Sequence, residues 1–244
     1  MRFYVGLHMP NHAEHFERCM VSVNRLRSRV SDFPASEWMM DSGAFTEVTQ
    51  HGGYRHGPEE YAEQCNRWKR CGDMVAAVSQ DWMCEPFAVA KTGKTIPEHQ
   101  TLTVERYAAL RAMTGAYVLP VLQGWEPTDY AAHVREYGDL LALGAWVGVG
   151  SVCKRNAQVG AIEAVLRAIL RERPDLKLHG FGLKLTALQD SAVRSLLYSA
   201  DSMAWSYAAR IQGRNGNDWR EAREFSRRVN ERPPQRNLFE RGAA

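Results

Sequence analysis

Short apolar and β-branched runs alternate along the chain with stretches whose apolar residues recur at helical spacing. The runs that read as strands are Phe3–Leu7, Trp38–Asp41, Met74–Ser79, Tyr117–Leu122, Trp146–Gly150, Leu178–Leu183 and Ser199–Trp205. The stretches between them that read as helices are His15–Arg27, Pro58–Arg70, Thr103–Met113, Thr128–Leu143 and Ala157–Arg171, with a last one near Asp218–Asn230. In the clearest helix, Ile162, Val165, Leu166, Ile169 and Leu170 fall on one face. Pro58 followed by two glutamates suits a helix start. Strand and helix alternating in one direction imply a parallel sheet. Seven strands, with an eighth not located by pattern, predict an irregular TIM-type (β/α)8 barrel. Pro233-Pro234 ends the regular pattern. Residues 1–232 are therefore expected as a single barrel domain and residues 233–244 as a tail.

Length and composition agree with that picture. The chain has 244 residues, 45% hydrophobic and 24% charged, which is enough apolar mass for one large core. No apolar run reaches the roughly 18 residues that would span a bilayer. The N-terminus reads as a first strand, not a signal peptide, so a cytoplasmic location is expected. Cys19, Cys65, Cys71, Cys84 and Cys153 are odd in number and contain no C-x-x-C pair, which favours free thiols over disulfides or zinc. The net charge is +3. From Arg210 onward there are nine arginines against five acids. Two readings of that end stay open: a solvated helix face, or an arm that contacts phosphates.

The chemistry gathers at the strand ends, where parallel α/β folds build their sites. The runs close in turn on His8, on Asp41-Ser42-Gly43-Ala44-Phe45, on Gln80-Asp81-Trp82, on Gln123-Gly124-Trp125, on Gly148-Val149-Gly150-Ser151, on Lys184 and on Asp201-Ser202. Any one aspartate could simply cap nearby amides. A packed core gives no reason for all of them to end on one side. Gly148 and Gly150 let backbone approach a flat ligand closely, although Gly-Val-Gly has the spacing of no nucleotide-binding loop. Lys154, Arg155 and Lys184 are candidates for holding phosphates, and Trp82, Trp125 and Trp205 for stacking. Each also has an ordinary reading as a solvated or packed side chain. His12 and His15 lie three apart but have no third metal ligand in view, and His99 and His179 read as structural donors.

Taken together, these endings resemble a known family. Asp41-Ser42-Gly43-Ala44-Phe45 is similar to the Asp-Ser-Gly-Gly-Phe of tRNA-guanine transglycosylases, and Gln123-Gly124 to their Gln-Gly strand end. Gly148-Val149-Gly150 falls where they carry a glycine-rich segment that contacts the base. The nearer resemblance is to the DpdA-like deazapurine DNA modification proteins. It is carried by Phe3-Tyr4-Val5-Gly6, Gln80 to Pro86, Glu98-His99-Gln100, Pro120 to Trp125, Gly150 to Arg155, His179 to Gly182 and Asp201 to Ser206, and it runs from about residue 3 to Arg210.

The resemblance implies a barrel enzyme, a pentosyltransferase, that exchanges guanine in DNA for a 7-deazaguanine base resembling preQ0. It implies Asp201 as nucleophile on the sugar C1′ and Asp41 as general acid and base. Asp81 then reads the amidine edge of the base, and Gln123 with the Gly148–Gly150 backbone reads its carbonyl oxygen. Ser42, Gly124, Trp82 and Lys184 complete the expected base site, and Lys154, Arg155 and Arg210 the nucleic-acid contacts. DNA is expected ahead of RNA, with accessory DNA-modification proteins and a homodimer as further partners. No membrane contact, metal or cofactor is expected. Asp201 follows from matching Asp-Ser. Counting back from Arg210 instead reaches Ala204, which cannot act as a nucleophile.

One departure stands out: the tRNA enzymes hold a C-terminal zinc on three Cys and one His, and neither residue type occurs after Arg210. Other classes remain open at this point. They are a metal-dependent barrel hydrolase using His8, His179 and an Asp, a glycosidase that removes a base without replacing it, and a non-catalytic nucleic-acid binder.

Overall fold

The computed structural model describes residues 1–155 and 158–231; the Lys154 side chain and the expected tail at 233–244 lie outside the described residues. Nine strand segments form one parallel sheet in the order β5-β4-β3-β2-β1-β9-β8-β7-β6. They are β1 (Arg2–Leu7), β2 (Arg18–Ser22), β3 (Glu37–Asp41), β4 (Asp73–Val78), β5 (Val118–Leu119), β6 (Val121–Leu122), β7 (Trp146–Val149), β8 (Lys177–Gly180) and β9 (Ser199–Ser202).

β5 and β6 are halves of one stave. Pro120 separates them because it has no N–H to give to a ladder. Its carbonyl still accepts from Gly148 N at 2.8 Å, while Leu119 O accepts from Ser79 N at 3.0 Å. The stave thus pairs with β4 on one side and β7 on the other, which nearly closes an eight-stave barrel.

The stave that sequence pattern does not locate is β2. Residues 15–27 read as a helix because Phe16, Cys19, Val23 and Leu26 recur at helical spacing, and all four are buried. The chain is instead extended over Arg18–Ser22, pairing Val5 with Cys19 and Ser22 with Asp41. Five residues are too few for period two to override the longer period around them. Only 3-10 turns at Pro10–His15 and Val23–Arg25 stand where the first two crossover helices would be. Other boundaries move less. The run expected from Ser199 to Trp205 stops at Ser202, and Trp205 lies in the first turn of a helix that starts at Ala204.

The helices are α1 (Ala44–His51), α2 (Pro58–Trp68), α3 (Pro86–Thr92), α4 (Ile96–Met113), α5 (Pro127–Tyr137), α6 (Val159–Glu172), α7 (Leu185–Gln189), α8 (Ser191–Leu196), α9 (Ala204–Ile211) and α10 (Trp219–Asn230). α4 begins seven residues before the expected start because Thr95 and Glu98 form a capping box. α6 turns Ile162, Val165, Leu166 and Ile169 onto the sheet. Full burial of each such side chain contributes roughly 1.5–3 kcal/mol.

Strand alternation divides the apolar residues into two cores. Phe3, Val5, Cys19, Val21, Trp38, Met40, Val147, Val149 and Leu178 point outward to the helices. Tyr4, Met20, Met39, Val78, Leu119 and Val121 fill the barrel interior. The inward series continues past these residues toward the carboxyl ends, two positions at a time, to Gly6, Ser22, Asp41, Gln123, Gly150 and Asp201. These six all line one cavity.

Candidate active site

The cavity has a volume of about 370 Å³ and sits at the mouth formed by the carboxyl ends of the strands. Asp41, Asp81, Glu85 and Asp201 all line it, and neither Lys nor Arg is among its described lining residues.

Asp41 ends β3 just before Gly43, whose φ of 76° opens the turn into α1. Its Oδ2 accepts from Gly43 N at 3.1 Å. Burial raises the Asp41 carboxyl, and the neighbouring Asp201 charge raises it further; hydrogen bonds from Ser22 and Gly43 act the other way. Asp41 is thus a group that holds a proton more readily than an ordinary aspartate.

Asp201 sits across the mouth on β9. Its Oδ1 accepts from Gly182 N at 3.0 Å and lies 3.3 Å from His179 Nε2. The other nitrogen of His179 lies 2.9 Å from Ser199 Oγ. Ser199, His179 and Asp201 therefore form a buried chain that fixes the rotamer of the carboxylate.

Asp81 lies beyond β4 and is nearly buried. Burial pushes its carboxyl up to about 7, with the Asp41 and Glu85 charges adding to the rise and the Gln123 amide opposing it. Gln123 Nε2 donates to Asp81 Oδ2. Gln123 can lie there because Gly150 has no side chain: a Cβ at Gly150 would stand 2.2 Å from Gln123 Nε2. Gln123 is also held through its backbone, since Gln100 donates to its carbonyl at 2.7 Å and its N–H bonds His133 Nδ1 at 2.9 Å.

Several expected site residues stand behind the cavity. The Gly148 N–H is spent on Pro120 O, and a Cβ there would meet the Phe181 ring at 2.3 Å. Gly148 therefore makes room inside the barrel and lies outside the cavity lining. Gly150 does line the cavity, but its N–H is likewise spent, on Leu122 O at 2.9 Å. Gly124 allows α5 to approach, since a Cβ would be 2.7 Å from that of Asp129. Ser42 is buried beside the Tyr54 hydroxyl at 3.4 Å. Trp82 packs against Tyr54 and His99 with centroids 6.1 and 5.5 Å away. Trp205 donates to Gly6 O at 2.9 Å. Lys184 is exposed at the start of α7.

His8 and His179 do not converge on a metal site. His8 Nε2 lies 2.8 Å from Ser206 Oγ, and no group of three His, Cys, Asp or Glu arranged for a metal occurs among the described residues.

Sequence reasoning assigned no role to Ser22, Glu85 or Ser151, and all three line the cavity. Ser22 was hidden with its strand. Glu85 and Ser151 lie in loops, where no periodicity marks a side chain as inward.

The chain matches the family described as DpdA, DeoxyPurine in DNA protein A, over residues 1–219. It belongs to this family. Among curated proteins none matches it. Membership places the chain in deazapurine modification of DNA, with DNA as its substrate. The described residues contain no helix long and apolar enough to cross a membrane.

For a member of this family, cations near the mouth matter. The Arg155 guanidinium lies over the Trp125 ring at 4.3 Å, and its Nε and Nη2 are buried without a partner in the described structure. Arg210 is exposed at the end of α9. Its charge and that of Arg25 add to burial in lowering the His8 pKa. Two arginines of this end are paired with acids: Arg227 of α10 meets Glu224 at 2.7 Å, and Arg214, before the helix, meets Glu221 at 3.0 Å. The solvated-face reading therefore describes Arg227.

Proposed function

We propose that this protein exchanges guanine in DNA for a 7-deazaguanine base through a covalent Asp201–sugar intermediate. The observation that carries the reading is the convergence of Asp41, Asp81 and Asp201 in one cavity with no Lys or Arg among its described lining residues. Base displacement at C1′ develops oxocarbenium character, which a fixed carboxylate stabilises and then captures.

In the first half, an Asp201 oxygen bonds to C1′ as the C1′–N9 bond breaks, and Asp41 gives its proton to the leaving guanine. In the second half, N9 of the incoming base attacks C1′, Asp41 takes the N9 proton, and the Asp201 carboxylate departs. The strand stays attached throughout, and two displacements retain configuration. The raised Asp41 carboxyl suits a group that must carry a proton and recover it. Asp81, as a carboxylate, accepts from the N1–H and N2–H donors shared by guanine and 7-deazaguanines, and Gln123 supplies the neighbouring amide. Reaching a base in duplex DNA requires flipping it out of the stack. Arg155 and Arg210 are the described cations assigned to the displaced strand.

The test is incubation of DNA, and separately of tRNA, with isotopically labelled 7-cyano-7-deazaguanine, followed by nucleoside analysis. Label is expected in the DNA nucleosides and is expected to vanish in Asp201→Ala. Full exchange by Asp201→Ala would contradict the assignment. Free guanine released without incorporation would favour the glycosidase.

A further inference from the structure

Four buried polar side chains form a row along one wall of the cavity. Asp81, Gln123, Ser151 and Glu85 are between 1% and 6% exposed. Gln123 Nε2 donates to Asp81 Oδ2. Gln123 Oε1 lies 2.7 Å from Ser151 Oγ, and Ser151 Oγ lies 2.8 Å from Glu85 Oε2. Cys84 N donates to the same hydroxyl at 3.0 Å. Ser151 is held in place for this contact: its φ of 55° makes it the sole non-glycine with positive φ among the described residues. Such a conformation persists only where its surroundings impose it.

Counting protons along the row gives a definite result. Ser151 has one hydroxyl proton, and it faces two acceptors, Gln123 Oε1 and Glu85 Oε2. With both carboxylates ionised, one buried contact in the row has no proton, and two acceptor oxygens face each other in a desolvated site. A single added proton completes the row in either of two ways. If it rides on Glu85, Glu85 donates to Ser151, Ser151 donates to Gln123 Oε1, and Gln123 Nε2 donates to an ionised Asp81. If it rides on Asp81, Gln123 turns over, its nitrogen donates to Ser151, and Ser151 donates to an ionised Glu85.

The geometry points to one proton shared between Asp81 and Glu85 through Gln123 and Ser151, with Glu85 as the positioning residue that frees Asp81 to accept from the base. The inference rests on the base-exchange reading for the identity of the ligand, a guanine-type base with donors on its amidine edge. The site alternates between an accepting face, with the proton on Glu85, and a donating face, with the proton on Asp81. Bound base, which offers two donors, selects the first.

Groups around the row bear on its charge. Asp41, Tyr54 and Tyr137 lie near Asp81, while Tyr130, Cys84 and Cys153 lie near Glu85; the charges of Asp129 and Arg155 act on Tyr130. The charges among them that act on Asp81, those of Asp41 and Glu85, both raise its carboxyl.

The experiment is calorimetric binding of free guanine to the full chain, without DNA, across pH and in buffers of different ionisation enthalpy. Wild type, Glu85→Gln and Glu85→Ala are compared. The amide that Glu85→Gln introduces would donate to Ser151 permanently and remove the shared proton. Glu85→Gln is therefore expected to bind guanine, with its acid limb shifted to lower pH because Asp81 loses a neighbouring negative charge. Proton exchange with buffer on binding should shrink along with it. Glu85→Ala leaves Ser151 without its donor and Gln123 free to turn, so affinity should fall roughly 10-fold.

Loss in Glu85→Gln as deep as in Glu85→Ala would overturn the inference, because the carboxylate itself would then be what is needed. Equal affinity and pH dependence in all three proteins would also overturn it. If wild type binds guanine with these signatures yet exchanges no base in DNA, the proposed reaction fails while the shared proton stands.

Discussion

The two ends of strand β3 carry carboxylates in opposite circumstances. Glu37, at the amino end, meets the Arg2 guanidinium, accepts from the Tyr4 hydroxyl and lies 3.3 Å from Arg18 Nε. Asp41, four residues on, has hydroxyl and amide donors, a second carboxylate nearby and, among the described residues, no cation that acts on it. The two mouths of the barrel differ in the same way. The amino-end mouth holds a larger cavity, about 560 Å³, lined by Tyr117, Trp146, Tyr198, Arg111 and Lys177, with no acid among its described lining. The carboxyl-end cavity is smaller and keeps four acids together. The two mouths therefore differ less in size than in uncompensated charge. A fold optimised for stability alone would neutralise Asp41 as it neutralises Glu37, and buried carboxylates left unpaired are the signature of groups kept for chemistry.

The sharpest way to break this contrast is to remove the carboxylates one at a time. Asp201→Ala should lower the exchange rate by on the order of 10⁴ or more, while thermal unfolding changes little. Asp41→Asn should cost on the order of 10²–10⁴ in rate and leave the melting temperature equal or higher, because it relieves repulsion against Asp201. A fall in melting temperature would mean that Asp41 is a structural cap.

Next in size is the base site. Gly150→Ala must displace Gln123, and its KM for the free base should rise roughly 10-fold through loss of a buried hydrogen bond, with kcat less affected. pH gives a related test. The Asp81 carboxyl, raised by burial to about 7, takes up the proton of the row below that pH, and base must then drive it onto Glu85, so base affinity should fall as pH drops through about 7. For stability the sign is opposite. Asp81 favours the folded state fully only below its ordinary value of 3.8, and that contribution is lost as pH rises toward 7. Asp81→Asn should remove this slope, as denaturant melts at several pH values will show. The smallest catalytic effect belongs to the other end of β3: Glu37→Gln should destabilise by about 1–3 kcal/mol and leave kcat unchanged.

Much of this site was legible before folding because strand alternation is simple. Asp41, Gln123 and Asp201 are the next inward positions after Met39, Val121 and Ser199, and each ends a recognisable run. Ser22 obeys the same rule, but its strand is short and lies among apolar residues at helical spacing. Glu85 and Ser151 follow no period: a loop delivers each side chain, and only distances in space join them to Asp81. Gly148 reads as a contact for ligand in sequence, yet tertiary packing gives its space to Phe181 and its amide to Pro120. The expected contacts at Trp82 and Ser42 became supports for the same reason, since neither motif nor period separates a wall from what stands behind it.

If Asp201 holds the sugar covalently while bases change places, the bond can be trapped by quenching the protein with DNA in acid before the second base is added, digesting it, and sequencing the modified peptide by mass spectrometry. A deoxyribosyl adduct is expected on Asp201 and is expected to disappear when 7-deazaguanine is supplied. An adduct on another residue, or steady exchange with no adduct on Asp201, would contradict that role for Asp201.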